Sequence, residues 1–352
     1  MEVLLASKDK NCVCTSSGRH QRIGATTMAF GAGKGKVVVV MGATATGKSK
    51  LAVDLAMRFG GEVVNSDKIQ VHDGLDVVTN KVTSEECRGV PHHLIGGVSP
   101  GADYTTADFC RDAARAVEAI HARGRPVALR KRYECCFLWV DAGLPVLDRY
   151  IRNRVDCMLE QGLVDEVRPF FRCDADYSRG IRRAIGVPEM DTYFRLEATG
   201  EMDDDNELRT RQLSAAVDEI KANTCRLAQR QRQKIRRLGG ISRWSLRRLD
   251  VTRVLMLKTS EAKDPETERA EWEPDVAGPA ERAVATFLGG NSGKTTDGHR
   301  DEDKAGLVAA VTKEVAMAGA GTTAEWCGLQ LEKAAAAHGG RVLPGMEAAA
   351  VV

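Results

Sequence analysis

The stretch KVVVVMGATATGKSKLAVDLA, residues 36–56, decides the fold of this chain. Its first part, Lys36–Gly42, is a β-branched apolar run that ends in glycine, which is typical of a fully buried parallel strand. Its last part places Leu51 and Leu55 on one helical face, and Gly60 is a natural stop for that helix. A glycine-rich loop joins the two, so the stretch predicts a strand–loop–helix unit.

The loop matches the spacing G-x-x-x-x-G-K-S, in which backbone N–H groups and the start of a helix surround a phosphate. We expect Lys48 to reach the outer phosphates and Ser49 to ligate Mg²⁺. The predicted phosphate-binding residues are Gly42, Ala43, Thr44, Ala45, Thr46, Gly47, Lys48 and Ser49. The loop does not decide the reaction, because a kinase would use it too if a strand carboxylate such as Asp141 organised the metal.

Strands and helices alternate along the first half of the chain. We predict strands at Glu62–Asp67, Arg125–Leu129 and Cys136–Ala142, and a helix from Thr105 or Thr106 to Gly124. This alternation favours an α/β fold, a P-loop NTPase-like parallel sheet flanked by helices.

The second half of the chain is mainly helical in pattern. Apolar residues recur at helical spacing in 145–167 and in 207–238. The segment Thr252–Leu257 predicts a short strand that rejoins the sheet. Residues 258–275 are acidic and contain proline, which favours a surface loop, and Gly278–Leu288 predicts a last helix.

Composition narrows the classes of function. The 352 residues carry a formal net charge of only +2, which argues against a general nucleic-acid coat. The ten cysteines form no C-x-x-C pair or zinc-finger spacing, so reduced structural thiols fit better than a metal or redox site. No apolar run approaches the ~18 residues of a membrane span. Residues 1–35 suit either a transit peptide or a disordered leader, and residues 289–352 predict a poorly ordered tail.

Asp67 stands at the carboxyl end of the second predicted strand, where open parallel sheets place their active sites. A carboxylate there can accept a proton or bind metal through water, although spacing alone also allows a turn or capping aspartate. The segments that surround it resemble a known family: GATATGKSKLAVDLA, NSDKIQVHDGLDVVTNK, GVPHHLIG, FLWVD, GLVDEV, GIRRAIGVPE and NTCRLAQRQRQKI. They are similar, in order, to the isopentenyltransferases that modify adenine, and most of all to plant adenylate isopentenyltransferases.

The resemblance implies a prenyl transfer in a domain that spans residues 36–288, with a helical substrate-binding part at about 145–240. The loop would hold dimethylallyl diphosphate, and the N6 amine of an adenine nucleotide would attack the prenyl group. Lys48 and Mg²⁺ at Ser49 would stabilise the leaving diphosphate, and Asp67 would be the base. The substrate contacts that the resemblance adds are Thr79, Asn80, Lys81, Thr224, Arg230 and Gln231.

The resemblance also implies the partners. Free AMP, ADP or ATP is favoured over tRNA, since tRNA-modifying relatives often carry a C-terminal zinc finger and only Cys327 follows Cys225. A monomer in the plastid or cytoplasm, with no membrane partner, is expected. A family segment of the form G-G-S/T-N-S-Y is absent between Leu129 and Tyr133. A catalytically impaired relative that binds only nucleotide or diphosphate is therefore the alternative, ahead of a tRNA isopentenyltransferase or a P-loop kinase.

Overall fold

The computed structural model describes residues 2–6, 35–122, 133–239, 245–260 and 265–289. Within these ranges, six strands form one sheet in the order β4-β3-β1-β2-β5-β6. Their bounds are β1 Glu2–Ala6, β2 Gly35–Gly42, β3 Gly61–Asn65, β4 His92–His93, β5 Tyr133–Asp141 and β6 Leu246–Asp250. The β2–β5, β5–β6 and β3–β4 pairs are parallel, in keeping with the predicted parallel sheet, although β4 and β6 lie outside the predicted strands.

Strand β1 departs from the predicted parallel sheet. It lies between β2 and β3 and runs antiparallel to both, with Glu2 opposite Val40 and Asn65. Its residues belong to the stretch 1–35 that composition sets apart as a leader. The sheet is therefore mixed, although every described pair that does not involve β1 is parallel.

Helices cover both faces of the sheet. The helices are α1 Lys48–Phe59, α2 Ser84–Cys87, α3 Thr106–Ala122, α4 Leu144–Glu160, α5 Leu163–Val167, α6 Asp191–Ala198, α7 Asn206–Gly239, α8 Thr252–Lys258, α9 Pro265–Trp272 and α10 Gly278–Gly289, with a π-helix at Glu273–Ala277 between the last two. Val38 and Val40 of β2 pack with α1 and α4, whereas Val37 and Val39 pack with α3. This alternation along β2 explains why its sequence is a continuous apolar run.

Two predictions for the C-terminal part are wrong. The segment Thr252–Leu257 lies in helix α8, and the strand that rejoins the sheet is Leu246–Asp250. Helix α8 buries the adjacent Val254 and Leu255 and leaves Met256 51% exposed. Burial of two consecutive side chains fits one face of a helix, whereas a strand would turn them to opposite sides.

Residues 258–275 are not a surface loop either. Most of the described part of this segment is helical, in α9 and the π-helix. Trp272 and Val276 are buried in the same core as Leu51 and Leu55 of α1. Glu266, Glu273 and Pro274 are exposed, so they belong to the outer side of these helices.

Other predictions fall outside the described residues: the strand Arg125–Leu129, the site of the absent family segment before Tyr133, most of the leader and the tail after Gly289. Within the described ranges, no helix is both long enough and apolar enough to cross a membrane.

Candidate active site

The phosphate loop begins where β2 ends and closes at the first residue of α1. Gly47 has a left-handed backbone with φ 83°, and Ala45 has φ 70°. A Cβ added to Gly42 would stand 2.5 Å from Thr46 Oγ1 and 2.6 Å from the carbonyl oxygen of Val140. Both glycines of the pattern are therefore required, Gly47 for its backbone conformation and Gly42 for close packing.

Side chains inside the loop brace its first turn. The buried Thr46 hydroxyl donates to the carbonyl oxygen of Ala43 at 2.9 Å, and Lys48 Nζ donates to the same oxygen at 2.7 Å. Lys48 and the half-exposed Ser49 are the first two residues of α1. The backbone N–H groups at this helix start have no intrahelical acceptor, so they and the lysine form a surface suited to an anion.

Two side chains from other helices hold Thr44. Gln231 Oε1 of α7 accepts a 2.7 Å hydrogen bond from the Thr44 backbone N–H. Arg154 Nη2 of α4 donates to Thr44 Oγ1 at 3.0 Å. The structure thus brings together Thr44 and Gln231, which the sequence predicts, and adds Arg154, which it does not. The sequence signal for Arg154 was weak, because one arginine in a helix rich in charge is ordinarily solvated.

Arg154 has unused hydrogen-bonding capacity. Its Nε is buried and has no partner, and in the described part of the chain no carboxylate lies within ion-pair distance of its guanidinium. Burial lowers the pKa of Arg154, because the charged form is poorly solvated there. A cation in this setting, in contact with a phosphate loop, is suited to bind an anion.

Asp67 lies two residues beyond the end of β3, whereas the sequence predicts it as the last residue of that strand. Its backbone N–H donates to Asn65 Oδ1 at 3.0 Å, and its Oδ1 accepts from the backbone N–H of Ile69 at 2.9 Å. Among the described residues, Oδ2 has no hydrogen-bond partner. One carboxylate oxygen is thus fixed by the turn, and the other is available to take a proton.

The segment that contains Thr79, Asn80 and Lys81 is held by its own contacts. Thr79 Oγ1 donates to the carbonyl oxygen of Leu75, and Asn80 has a left-handed φ of 52°. Lys81 Nζ donates to three oxygens of the same turn: His72 O, Gly74 O and Asp76 Oδ1. These contacts make Lys81 a brace for the turn, and substrate contact by the three residues stays a prediction.

The predicted α7 residues differ in their surroundings. The buried Thr224 hydroxyl donates to the carbonyl oxygen of Ile220 in its own helix. Arg230 is exposed, while Arg232, two residues later, is 8% exposed. Of the three predicted residues on α7, Gln231 accepts a hydrogen bond from the loop, and diphosphate support by Arg230 stays a prediction.

Asp141 is the strand carboxylate that would organise the metal ion if the chain were a kinase. Two arginines bind it. Its oxygens accept from Arg232 at 2.5 and 3.1 Å and from Arg248 Nε at 2.8 Å. Burial alone would raise the pKa of Asp141, but the hydrogen bonds from Arg232 and Arg248 outweigh it and hold that pKa below the ordinary value. A carboxylate engaged by two guanidinium groups is poorly placed to organise a metal ion.

The described residues offer few side-chain ligands for a metal ion. Among the described residues, no group of three or more His, Cys, Asp or Glu side chains could hold a metal ion. Mg²⁺ commonly keeps several waters and is held by one or two protein oxygens together with substrate phosphates. The Ser49 hydroxyl at the loop fits that mode of binding, in which the phosphates supply most of the ligands.

The strand, loop and helix at the carboxyl edge of a largely parallel sheet define the P-loop class of proteins. Two family models match the chain: one described as IPP transferase at residues 70–130 and 125–238, and one described as Isopentenyl transferase at residues 35–95.

Two plant proteins align with most of this chain and are at least 40% identical to it. Adenylate isopentenyltransferase 3, chloroplastic, of Arabidopsis thaliana is 48% identical over 275 residues, which cover 72% of this chain and 80% of the relative. The adenylate isopentenyltransferase of Humulus lupulus is 40% identical over 298 residues, with 71% and 89% covered. The chain therefore belongs to the adenylate isopentenyltransferase family.

Proteins described as acting on tRNA are less similar. tRNA dimethylallyltransferase 2 of Arabidopsis thaliana is 28% identical over an alignment of 384 positions, gaps included, that covers 72% of this chain and 80% of the relative. A solved structure of a eukaryotic dimethylallyltransferase acting on tRNA has a TM-score of 0.57 at 19% identity, with 72% of this chain and 79% of that one covered. At that identity, the likeness is one of fold alone.

Proposed function

We propose that this chain transfers the dimethylallyl group of dimethylallyl diphosphate to N6 of AMP, ADP or ATP, the first step of cytokinin synthesis. One observation carries the proposal: a braced phosphate loop followed by Asp67, in a chain 48% identical to an adenylate isopentenyltransferase. The 28% identity to a tRNA enzyme makes tRNA the less favoured acceptor. The engagement of Asp141 by two arginines speaks against a kinase.

In the proposed reaction, the N6 nitrogen forms a bond to C1 of the prenyl group while the bond from C1 to the diphosphate oxygen breaks. The diphosphate leaves with that electron pair, and Asp67 Oδ2 takes the proton that N6 loses. The loop amides, Lys48 and Arg154 offset the charge that gathers on the leaving group. Mg²⁺, held at Ser49 and by the phosphates, would supply further electrostatic stabilisation of the same oxygens.

The chloroplastic names of several relatives support a plastid location for this chain, and a cytoplasmic one remains the alternative. We also propose that it acts on its small-molecule substrates as a monomer, with no membrane or nucleic-acid partner.

The test is a product assay with Mg²⁺, dimethylallyl diphosphate and each nucleotide in turn, read by mass. We expect a prenylated nucleotide from the wild-type chain and a fall of about 100-fold or more in rate for Asp67→Asn, because the base is lost. Asp103→Asn, at an exposed aspartate, is the matched control and should keep the wild-type rate.

The second candidate is a relative that binds nucleotide or diphosphate without transfer. The absent family segment before Tyr133 favours it. A folded wild-type chain that binds diphosphate and forms no product with any of the three nucleotides would establish this candidate in place of the first.

A further inference from the structure

Trp272, at the end of α9, lies against the phosphate loop. It is 4% exposed. A Cβ built on Gly47 would stand 3.3 Å from two atoms of the indole, Cη2 and Cζ3. The six-membered ring of the indole therefore forms a wall against the last turn of the loop, at the residue whose left-handed φ sets that turn.

Helix α1 fixes the orientation of this indole. Trp272 Nε1 donates a 2.9 Å hydrogen bond to Asp54 Oδ2. Lys50 Nζ lies 4.0 Å from the centroid of the ring, a cation–π contact, and also pairs with Asp54 at 3.2 Å. Arg88 makes a second ion pair with Asp54. Asp54 of α1 thus holds the indole by its Nε1–H, and Lys50 of the same helix covers the face of the ring.

The segment that carries Trp272 cannot shift easily. The π-helix follows α9 without a break, and its Val276 and Ala277 are 0% and 3% exposed in the core shared with α1. Because protein interiors are closely packed, a displacement of the indole would open space beside Gly47 that nothing else fills.

We propose that Trp272 is a positioning residue for the donor diphosphate, and that it acts by fixing the turn at Gly47. The inference rests on the proposed function, in which the loop holds that diphosphate. Electrostatic stabilisation of an anion depends on donors that are already aimed at it, and small misplacements are costly. Trp272 acts through the backbone and makes no contact with a reacting atom.

Trp272→Phe is the principal test. Phenylalanine keeps an aromatic ring in the core but loses the Nε1–H donor and the part of the indole that faces Gly47. We expect the Kd of inorganic diphosphate with Mg²⁺, measured by calorimetry, and the KM of the prenyl donor to rise together by about tenfold. The KM of the nucleotide should stay at its wild-type value, a split that a general loss of stability would not produce.

Two further variants are measured beside Trp272→Phe, one as a control and one as a second test. Glu271→Gln removes the 2.9 Å ion pair of the neighbouring residue with Arg253, and it should leave the Kd of diphosphate unchanged. Lys50→Met keeps an aliphatic stem on the indole but removes the charge. It should weaken diphosphate binding about twofold, as expected for loss of a partly exposed cation–π contact.

Diphosphate binding needs no turnover, so this test is separate from the product assay. A wild-type chain that binds diphosphate but makes no prenylated nucleotide overturns the proposed function and leaves the comparison of Kd values valid. Folded Trp272→Phe and Lys50→Met proteins with the wild-type Kd overturn the role of Trp272. If Trp272→Phe does not fold, the Lys50→Met value decides, and a wild-type chain without affinity for diphosphate overturns both proposals.

Discussion

The guanidinium of Arg154 reaches the hydroxyl of Thr44 at 3.0 Å, across 110 residues of sequence. It joins α4 to the phosphate loop at a point where the Arg154 Nε is buried without a partner. An incoming diphosphate would supply the missing acceptor and the missing negative charge, because Arg binds phosphate oxygens through several N–H groups at once.

Arg154→Met should therefore weaken donor binding. We expect the Kd of diphosphate and the KM of dimethylallyl diphosphate to rise by about tenfold or more, the size of a hydrogen bond to a charged group. Arg152→Met, at an exposed arginine of the same helix, is the control and should bind as the wild type does. Equal Kd values for the two variants would remove Arg154 from the site.

Asp141 should be important for stability. Asp141→Asn leaves the Arg232 guanidinium, whose side chain is 9% exposed, without its counter-charge. Removal of one partner of a buried pair costs about 3–5 kcal/mol of the free energy of unfolding. Urea unfolding measures this loss. Asp174→Asn, which breaks an exposed pair with Arg172, should leave the free energy of unfolding close to its wild-type value, because solvent screens exposed pairs.

The Asp141 carboxylate also predicts how the stability of the chain depends on pH. The pKa of Asp141 is lower in the folded chain than its ordinary value of 3.8, so ionisation of this group favours folding. The contribution of the ionised Asp141 to the free energy of unfolding is complete at pH values above 3.8. It is lost as the pH falls through the lower pKa of the folded chain. The urea midpoints of the wild type and Asp141→Asn should thus differ at pH 7 and converge as the pH falls below about 4. A constant gap across this range would contradict the assignment.

Glu166 of α5 holds the turn that precedes Thr79. Its two carboxylate oxygens each accept a 2.9 Å hydrogen bond, from the backbone N–H groups of Val77 and Val78. Glu166→Gln replaces one acceptor with a donor, so one amide loses its partner. We expect a loss of about 1–3 kcal/mol in unfolding free energy.

Amide hydrogen exchange locates this effect. Exchange at Val77 and Val78 should quicken in Glu166→Gln, while Asp165→Asn, at a neighbour whose side chain is 86% exposed, should leave it unchanged. Unaltered protection at both amides in Glu166→Gln would show that the turn does not depend on this carboxylate.

Local pattern was sufficient for the strand–loop–helix unit and for the position of Asp67. The unit is confirmed at Gly35–Gly42 and Lys48–Phe59, because glycine spacing and apolar periodicity act within a few residues of each other. The same kind of reasoning failed for Thr252–Leu257. Six mostly apolar residues fit a strand or a helix equally, and only packing on the core selected the helix.

The sequence by itself determined the strand–loop–helix unit with its phosphate-loop spacing, a helix-covered sheet and, through resemblance, a family. Only the tertiary structure decided which distant side chains complete the loop. Arg154 and Trp272 come to it from 110 and more than 200 positions away, and the carboxylate of Asp141 is taken by Arg232 and Arg248. Such contacts leave no periodic trace in the chain, because the packing of helices against one another, and not local spacing, brings these residues together.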